Sequence, residues 1–329
     1  MKATHVEAAQ CTRCGACSAA CPGVFEIGAA ASRVAREPRE TERALALAAR
    51  WICPADAIRT TDAVSAPAPA PNEPLFDELA TGAERVRWSL ADIPWDRLEP
   101  AKATAELRAL VREMTFYEHA TYSATQRFLE AFFDDVDVTQ WIAVWFYEET
   151  KHPHALSEWL RRTGEPFADD AVLKGRVSTP FMRSAVGTLV TNVVSEVTVA
   201  QAYRRMAARS PEPVLAGIAR AIAGDEARHA ASFFRFARKR LAADPPEVAR
   251  RERARGLEVL QAWLGGGTTH PVAQMIARLD ATDHGSIELD FASTLRTRVV
   301  RVVGLLLDVP LERAEDVPGA LRAMLSGRA

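Results

Sequence analysis

The residues able to do chemistry fall into two groups. All five cysteines, Cys11, Cys14, Cys17, Cys21 and Cys53, come early, and the 276 residues after Cys53 contain none. Thiols separated by two intervening residues, with no scattered and even set for disulfides, point to a bound metal. Five thiols complete one four-thiolate site with one left over, so a second such site is out of reach.

The second group is glutamate and histidine. Two Glu-x-x-His units occur, Glu149 with His152 and Glu226 with His229, and this spacing puts each carboxylate and imidazole on one helix face. A single glutamate in a mostly apolar stretch precedes each unit: Glu118 in MTFYEHATYS and Glu196 in TNVVSEVTVAQ. A buried carboxylate needs compensation. Glu118 and Glu149 are 31 apart and Glu196 and Glu226 are 30 apart, while the lone glutamates are 78 apart and the paired units 77 apart. The chain repeats its own plan. A helix, a short connection and an antiparallel return would bring each pair to one level of a bundle, at about 1.5 Å per residue. Four carboxylates can then bridge and neutralise two cations in a dry core, with one imidazole per metal leaving positions open for oxygen chemistry.

The elements that must position these groups can also be read. At 329 residues, 48% apolar and 26% charged, the chain can bury a large domain and a small one. Its formal charge of −2 offers no field that would draw in nucleic acid or an anionic membrane. No run of about 18 apolar residues and no secretion signal is evident, which predicts a cytoplasmic protein without a membrane partner. Residues 61–74, TDAVSAPAPAPNEP, read as a semi-extended linker. The expected organisation is therefore a cysteine-rich metal-binding domain over 1–60, the linker, and a helical domain over 75–329, in which long helical periodicity begins after about Pro100.

The run Cys11-x2-Cys14-x2-Cys17-x3-Cys21-Pro22 resembles bacterial ferredoxins, and with the closing segment Cys53-Pro54-Ala55-Asp56-Ala57-Ile58 the likeness to single-cluster members covers residues 1–60. The resemblance implies a small α+β domain whose cluster is held by Cys11, Cys14, Cys17 and Cys53, with Cys21 a free, buried thiol. Both 4Fe–4S and 3Fe–4S remain open. A zinc ribbon would normally show two separated Cys-x2-Cys pairs.

The six-residue set, one Glu from each of two helices and Glu-x-x-His from each of two others, is that of ferritin-like di-iron and di-manganese proteins. Residues 100–240 resemble the acyl-carrier-protein desaturase branch, through Glu148-Glu149-Thr-Lys-His152 and Asp225-Glu226-Ala-Arg-His229. The implied fold is mainly α, a ferritin-like four-helix bundle with extra helices. The implied metal ligands are Glu118, Glu149, His152, Glu196, Glu226 and His229, with Glu149 and Glu226 as bridges to a di-iron or manganese pair. Ribonucleotide reductase small subunits, arylamine oxygenases and aerobic cyclases share such units, so the motifs specify the metal class better than the substrate.

Two departures stand out. Pro153 directly follows His152, which predicts a kink or bulge. Val199 and Ala200 follow Glu196 where some relatives carry a hydroxyl, and Thr198 is a poorer substitute. Tyr117, Tyr122 and Tyr147 lie near ligand positions, His119 and His154 point away from them, and Trp141, Trp145 and Phe146 are expected to pack the core. Arg250, Arg251, Arg253 and Arg255 offer a basic run for an acidic carrier or a solvated face.

Together these features predict an oxygen-dependent di-iron oxidoreductase of desaturase, hydroxylase or N-oxygenase type. Its partners would be molecular oxygen, a small-molecule or acyl-type substrate and an external reductase, since no GxGxxG fingerprint is present. The fused cluster would feed the iron pair, and the net charge of +2 over residues 1–60 suits a captive relay. The alternatives are a rubrerythrin-like peroxide reductase and an iron-storage protein. The long segment after Arg240, with apolar Val299–Val309, could build a substrate pocket or a homodimer interface.

Overall fold

The computed structural model describes residues 4–60, 73–176, 184–268, 270–273 and 288–327. Most of the expected linker, residues 61–72, lies outside the described residues.

Two small antiparallel pairings, of which β2 with β3 is a hairpin, frame the N-terminal part. Strand β1 (His5–Val6) pairs antiparallel with β4 (Ile58–Arg59), and β2 (Phe25–Ile27) pairs antiparallel with β3 (Ser32–Val34). Helices α1 (Ala16–Ala20) and α2 (Arg43–Ile52) lie between these strands in sequence. Ala44, Ala46, Leu47, Ala48, Ala49 and Ile52 form the buried side of α2.

The rest is helical: α3 (Phe76–Glu84), α4 (Ala105–Glu118), α5 (Ala120–Ala131), α6 (Val136–Arg162), α7 (Asp169–Gly175), α8 (Ala185–Arg209), α9 (Pro213–Ala243), α10 (Pro246–Leu264), α11 (Glu288–Leu307) and α12 (Val317–Leu325). The expected mainly α fold with a small α+β part is what the chain adopts. Helices α8 and α9 pack along each other most extensively, and α4 packs on α6. Each of these four starts at a side chain that accepts from a backbone amide of its first turn: Thr104 from Leu107, Asp135 from Val138, Ser184 from Gly187, and Glu212 from Val214 and Leu215. Such caps contribute about 1 kcal/mol each and set the helix starts, hence the heights of the residues they carry.

Two local features bear on the ligand positions. Helix α6 runs unbroken through Pro153, with His152 in helical conformation. Proline removes one amide from a 27-residue helix, and burial of Glu149, His152, Ala155 and Leu156 on both sides of it holds the helix together. The first bundle segment does break, at His119, so Glu118 closes α4 and Tyr122 belongs to α5.

The two parts share one hydrophobic core. Cys17, Cys21, Phe25 and Ile52 belong to the same buried cluster as Trp141, Val193, Phe233 and Leu257. Helix α1 packs on α9, and α11 packs on α2 as well as on α8 and α10. The helix that carries most of the apolar Val299–Val309 stretch therefore touches both the N-terminal part and the bundle. Arg250 and Arg253 tie this region internally, donating to the Met324 and Leu307 carbonyls.

Candidate metal centres

The acidic centre is assembled by four helices. Helix α4 supplies Glu118, α6 supplies Glu149 and His152, α8 supplies Glu196, and α9 supplies Glu226 and His229. All six side chains are buried. Their ligand atoms form two groups, Glu118, Glu149, His152 and Glu226 in one, and Glu149, Glu196, Glu226 and His229 in the other, each within 4.8 Å. Glu149 and Glu226 are common to both, the position that carboxylates bridging two ions would take. His152 Nδ1 lies 3.5 Å from Glu118 and 3.4 Å from Glu226, and His229 Nδ1 lies 3.0 Å from Glu149 and 3.6 Å from Glu196.

The imidazoles are oriented from behind. His152 Nε2 meets Asp225 Oδ2 at 3.2 Å, and His229 Nε2 meets Glu148 Oε2 at 3.0 Å. Each histidine is thus held by the acidic residue that precedes the bridging glutamate of the opposite unit. A carboxylate on Nε2 favours the tautomer with the proton there, leaving the Nδ1 lone pair for a metal. Both Nδ1 atoms and Glu149 Oε1 have no hydrogen-bond partner among the described residues. Orphaned acceptors in a dry core are costly, and a pair of cations would satisfy all three.

The outer ring is charged and closed. Glu148 also meets Arg228 at 3.1 Å and Arg87 at 3.2 Å, while Asp225 accepts from Arg228 and from Trp88 Nε1 at 2.8 Å and lies 3.3 Å from Lys151. Burial works against ionisation of Glu148, but Arg228 and His229 hold it down at about 2, and Asp225 is likewise held well below the usual range against burial by Arg228 and His152. The inner ring behaves oppositely. Burial, with Glu226 beside it, pushes Glu196 up to about 8, and burial also raises Glu149. Burial opposes a charged imidazole, yet the carboxylates around His152 and His229 raise both well above their ordinary value. The inner ring demands positive charge, whether protons or cations, and the outer ring keeps its carboxylates ionised to hold the ligands.

Sequence reading missed several of these groups. Tyr203 donates to Glu118, and Trp145, expected only as core, also donates to Glu196 Oε1 at 3.1 Å. Each terminal carboxylate is thereby held by one oxygen. The threonine hydroxyl beside the centre is Thr121, which donates to Glu149 Oε2 at 2.9 Å, while Thr198 turns to the Val194 carbonyl. Tyr147 is exposed, and Tyr122 packs edge-on against Phe146. His119 is buried among Tyr122 and Phe167, and His154 is exposed. The acidic neighbours in Glu148-Glu149 and Asp225-Glu226 were the available signal for the outer ring, but which histidine each reaches depends on packing.

The cysteine site is a cavity whose lining includes Cys11, Cys14, Cys17 and Cys53 together with Val6, Ser32 and Ile58. Cys21 is buried elsewhere, its thiol 3.9 Å from the Glu42 carbonyl. The amides of Arg13 and Ser32 donate to Cys11 Sγ at 3.4 and 3.3 Å, and the Ala57 amide to Cys53 Sγ at 3.4 Å. Burial and Cys53 push the Cys14 thiol up to about 11, and burial raises Cys17 and Cys53. Thiolates this close in a buried site need cations between them, which an iron–sulfur cluster supplies, and amide donors to sulfur tune its potential. Gly15 makes the turn after Cys14 at φ +81°, a left-handed conformation that disfavours a side chain.

The fold and the two sites define an iron-dependent redox protein. Residues 6–60 match the family described as the 4Fe-4S single cluster domain of Ferredoxin I, and residues 109–239 match the Ferritin-like domain. The chain thus carries an N-terminal 4Fe-4S ferredoxin domain followed by a ferritin-like domain. No curated protein and no solved structure matches it. None of the described helices is long and apolar enough to cross a membrane.

Proposed function

We propose that the protein is a di-iron oxidoreductase that uses molecular oxygen to oxidise a C–H or N–H bond of an organic substrate, with electrons delivered by its own iron–sulfur domain. The observation that carries this reading is the pair of ligand groups sharing Glu149 and Glu226, set directly behind the ferredoxin part. An iron pair in this ligand set supplies the redox capacity for reducing dioxygen. Manganese shares the same hard ligands.

The chain's own residues do the rest. Glu118, Glu149, Glu196 and Glu226 neutralise the cations, and His152 and His229, turned by Asp225 and Glu148, set the ligand field. Burial of all six excludes water from the centre. Tyr203 and Trp145 hold the outward oxygens of Glu118 and Glu196, so that their other oxygens stay aimed at the metals. Insertion of one oxygen atom into substrate consumes two electrons and two protons beyond the substrate and releases water. An external one-electron donor must supply those electrons through the cysteine site. A small molecule or acyl chain is the proposed substrate class.

A second reading, a rubrerythrin-like peroxide reductase, is favoured by one observation. Helix α11 binds the ferredoxin part, so the extra C-terminal length has a use other than framing a substrate pocket. The two readings separate in one experiment. The iron-loaded protein is reduced anaerobically and mixed with oxygen or with hydrogen peroxide in a stopped-flow spectrometer. Fast oxidation by oxygen supports the oxygenase, whereas fast turnover with peroxide and inertness to oxygen sinks it in favour of the peroxidase.

A further inference from the structure

The ferredoxin part and the acidic centre approach each other through one buried side chain. Arg228, on α9 between the ligands Glu226 and His229, is 3% exposed. Its Nη1 donates to the Cys14 carbonyl at 2.9 Å, and its Nη2 donates to Glu148 at 3.1 Å and to Asp225. Those carboxylates in turn hold His229 and His152. The path from a cysteine of the iron–sulfur site to both imidazoles of the acidic centre therefore runs through covalent and hydrogen bonds without a through-space gap. Packing at this point is equally close. A Cβ on Gly224 would lie 2.9 Å from Cys14 Cβ, and a Cβ on Gly15 would lie 3.4 Å from Arg228 Cδ. Glycine at 224 lets α9 come against the cysteine itself.

We propose that the Cys14–Arg228 contact is where electrons cross between the two centres, Arg228 acting as the positioning residue that seats Cys14 on α9. The inference rests on the reading of both sites as iron-loaded. With a cluster held by Cys11, Cys14, Cys17 and Cys53 and an iron pair held by the six acidic-centre ligands, the transfer would be of one electron, lost by the reduced cluster and gained by a ferric ion of the pair. No bond is made or broken. A flavin- or iron–sulfur-containing one-electron donor then re-reduces the cluster.

The same helix carries an internal control. Arg235 donates to the Ala19 carbonyl at 3.3 Å and pairs with Glu78, so it also ties α9 to the ferredoxin part, and among the described residues it makes no hydrogen bond to a cysteine, to Glu148 or to Asp225. The test uses the full-length protein with both sites loaded, oxidised chemically in the absence of oxygen. One electron equivalent is delivered photochemically, and re-oxidation of the cluster is followed by its absorbance, with its EPR-monitored potential and the iron content measured for every variant. Gly224→Ala and Gly224→Val should slow re-oxidation progressively, by roughly 2- to 30-fold, the span for loosening one link in a packed network. Arg228→Gln should slow it as well, and Arg235→Gln should leave it at the native rate. A native rate in Gly224→Val with both sites full overturns the proposal. Equal slowing in Arg235→Gln and Arg228→Gln also overturns it, because the contact would then matter only for docking. Arg228→Gln removes the partner of two buried carboxylates and can lose metal, in which case the glycine series decides. No step of this measurement involves oxygen or substrate, so its failure is distinct from failure of the oxygenase reading.

Discussion

His152 and Asp225 face each other across the bundle, Nε2 to Oδ2 at 3.2 Å, from helices whose relevant residues are 73 positions apart. The contact turns Nδ1 of the imidazole into the acidic centre. Replacing Asp225 with Asn keeps the shape but removes the charge that stabilises the ligating tautomer and leaves Arg228 and Lys151 short of a partner. Metal affinity at the acidic centre should fall about 10- to 100-fold. Competition with a calibrated chelator measures it, and native affinity in the variant would remove the orienting role.

The shared carboxylates give a stoichiometric test. Glu149→Ala and Glu226→Ala each take a ligand from both groups, whereas Glu118→Ala and Glu196→Ala each take one from a single group. Elemental analysis after loading should show the first two variants losing both ions of the acidic centre and the latter two retaining more. Equal retention in all four would contradict the bridging assignment.

Cysteine substitutions should divide by position in the cavity. Cys17→Ser should abolish the visible and EPR signals of the cluster, while Cys21→Ser should keep them, because the Cys21 thiol is directed to the Glu42 carbonyl and is not part of the cavity wall. A cluster lost in Cys21→Ser and kept in Cys17→Ser would reverse the ligand assignment.

The Cys53 loop is clamped from the far end of the chain. Arg298 on α11 donates to the carbonyls of Trp51 at 2.6 Å and Cys53 at 3.1 Å and pairs with Asp56, which Arg204 also holds. Arg298→Ala should cost about 2–3 kcal/mol, as expected for charged hydrogen bonds at a buried guanidinium. Denaturant unfolding checks the loss, and faster release of iron to a chelator should accompany it.

Acid should weaken the ferredoxin part through Glu42. Its carboxylate takes a bidentate pair from Arg36 at 2.6 Å and accepts from the Arg39 amide at 2.8 Å, and the Arg36 hydrogen bonds lower its pKa to about 2. A carboxyl with a folded value below its ordinary 4.5 contributes stability that is full above pH 4.5 and is lost as pH falls towards 2. With solvent screening, about 1–2 kcal/mol is expected. The pH dependence of unfolding should flatten over that window in Glu42→Gln, and an unchanged profile would rule the pair out.

What the amino-acid order determines alone is the inventory of ligands. Glu-x-x-His sets its two groups on one helix face by local geometry, the near-identical offsets between units repeat that geometry, and cysteine spacing is equally local. The fold class follows from the same periodicity. Tertiary packing decides what local geometry cannot reach: that Asp225 serves His152 and Glu148 serves His229, that Tyr203 and Trp145 steady the terminal glutamates, and that Pro153 is absorbed without breaking α6. Arg228 and Cys14, 214 residues apart, meet where Gly224 leaves room for α9 to lie against the cysteine turn. Such contacts carry no period in the sequence, since they depend on how two separately formed surfaces fit together.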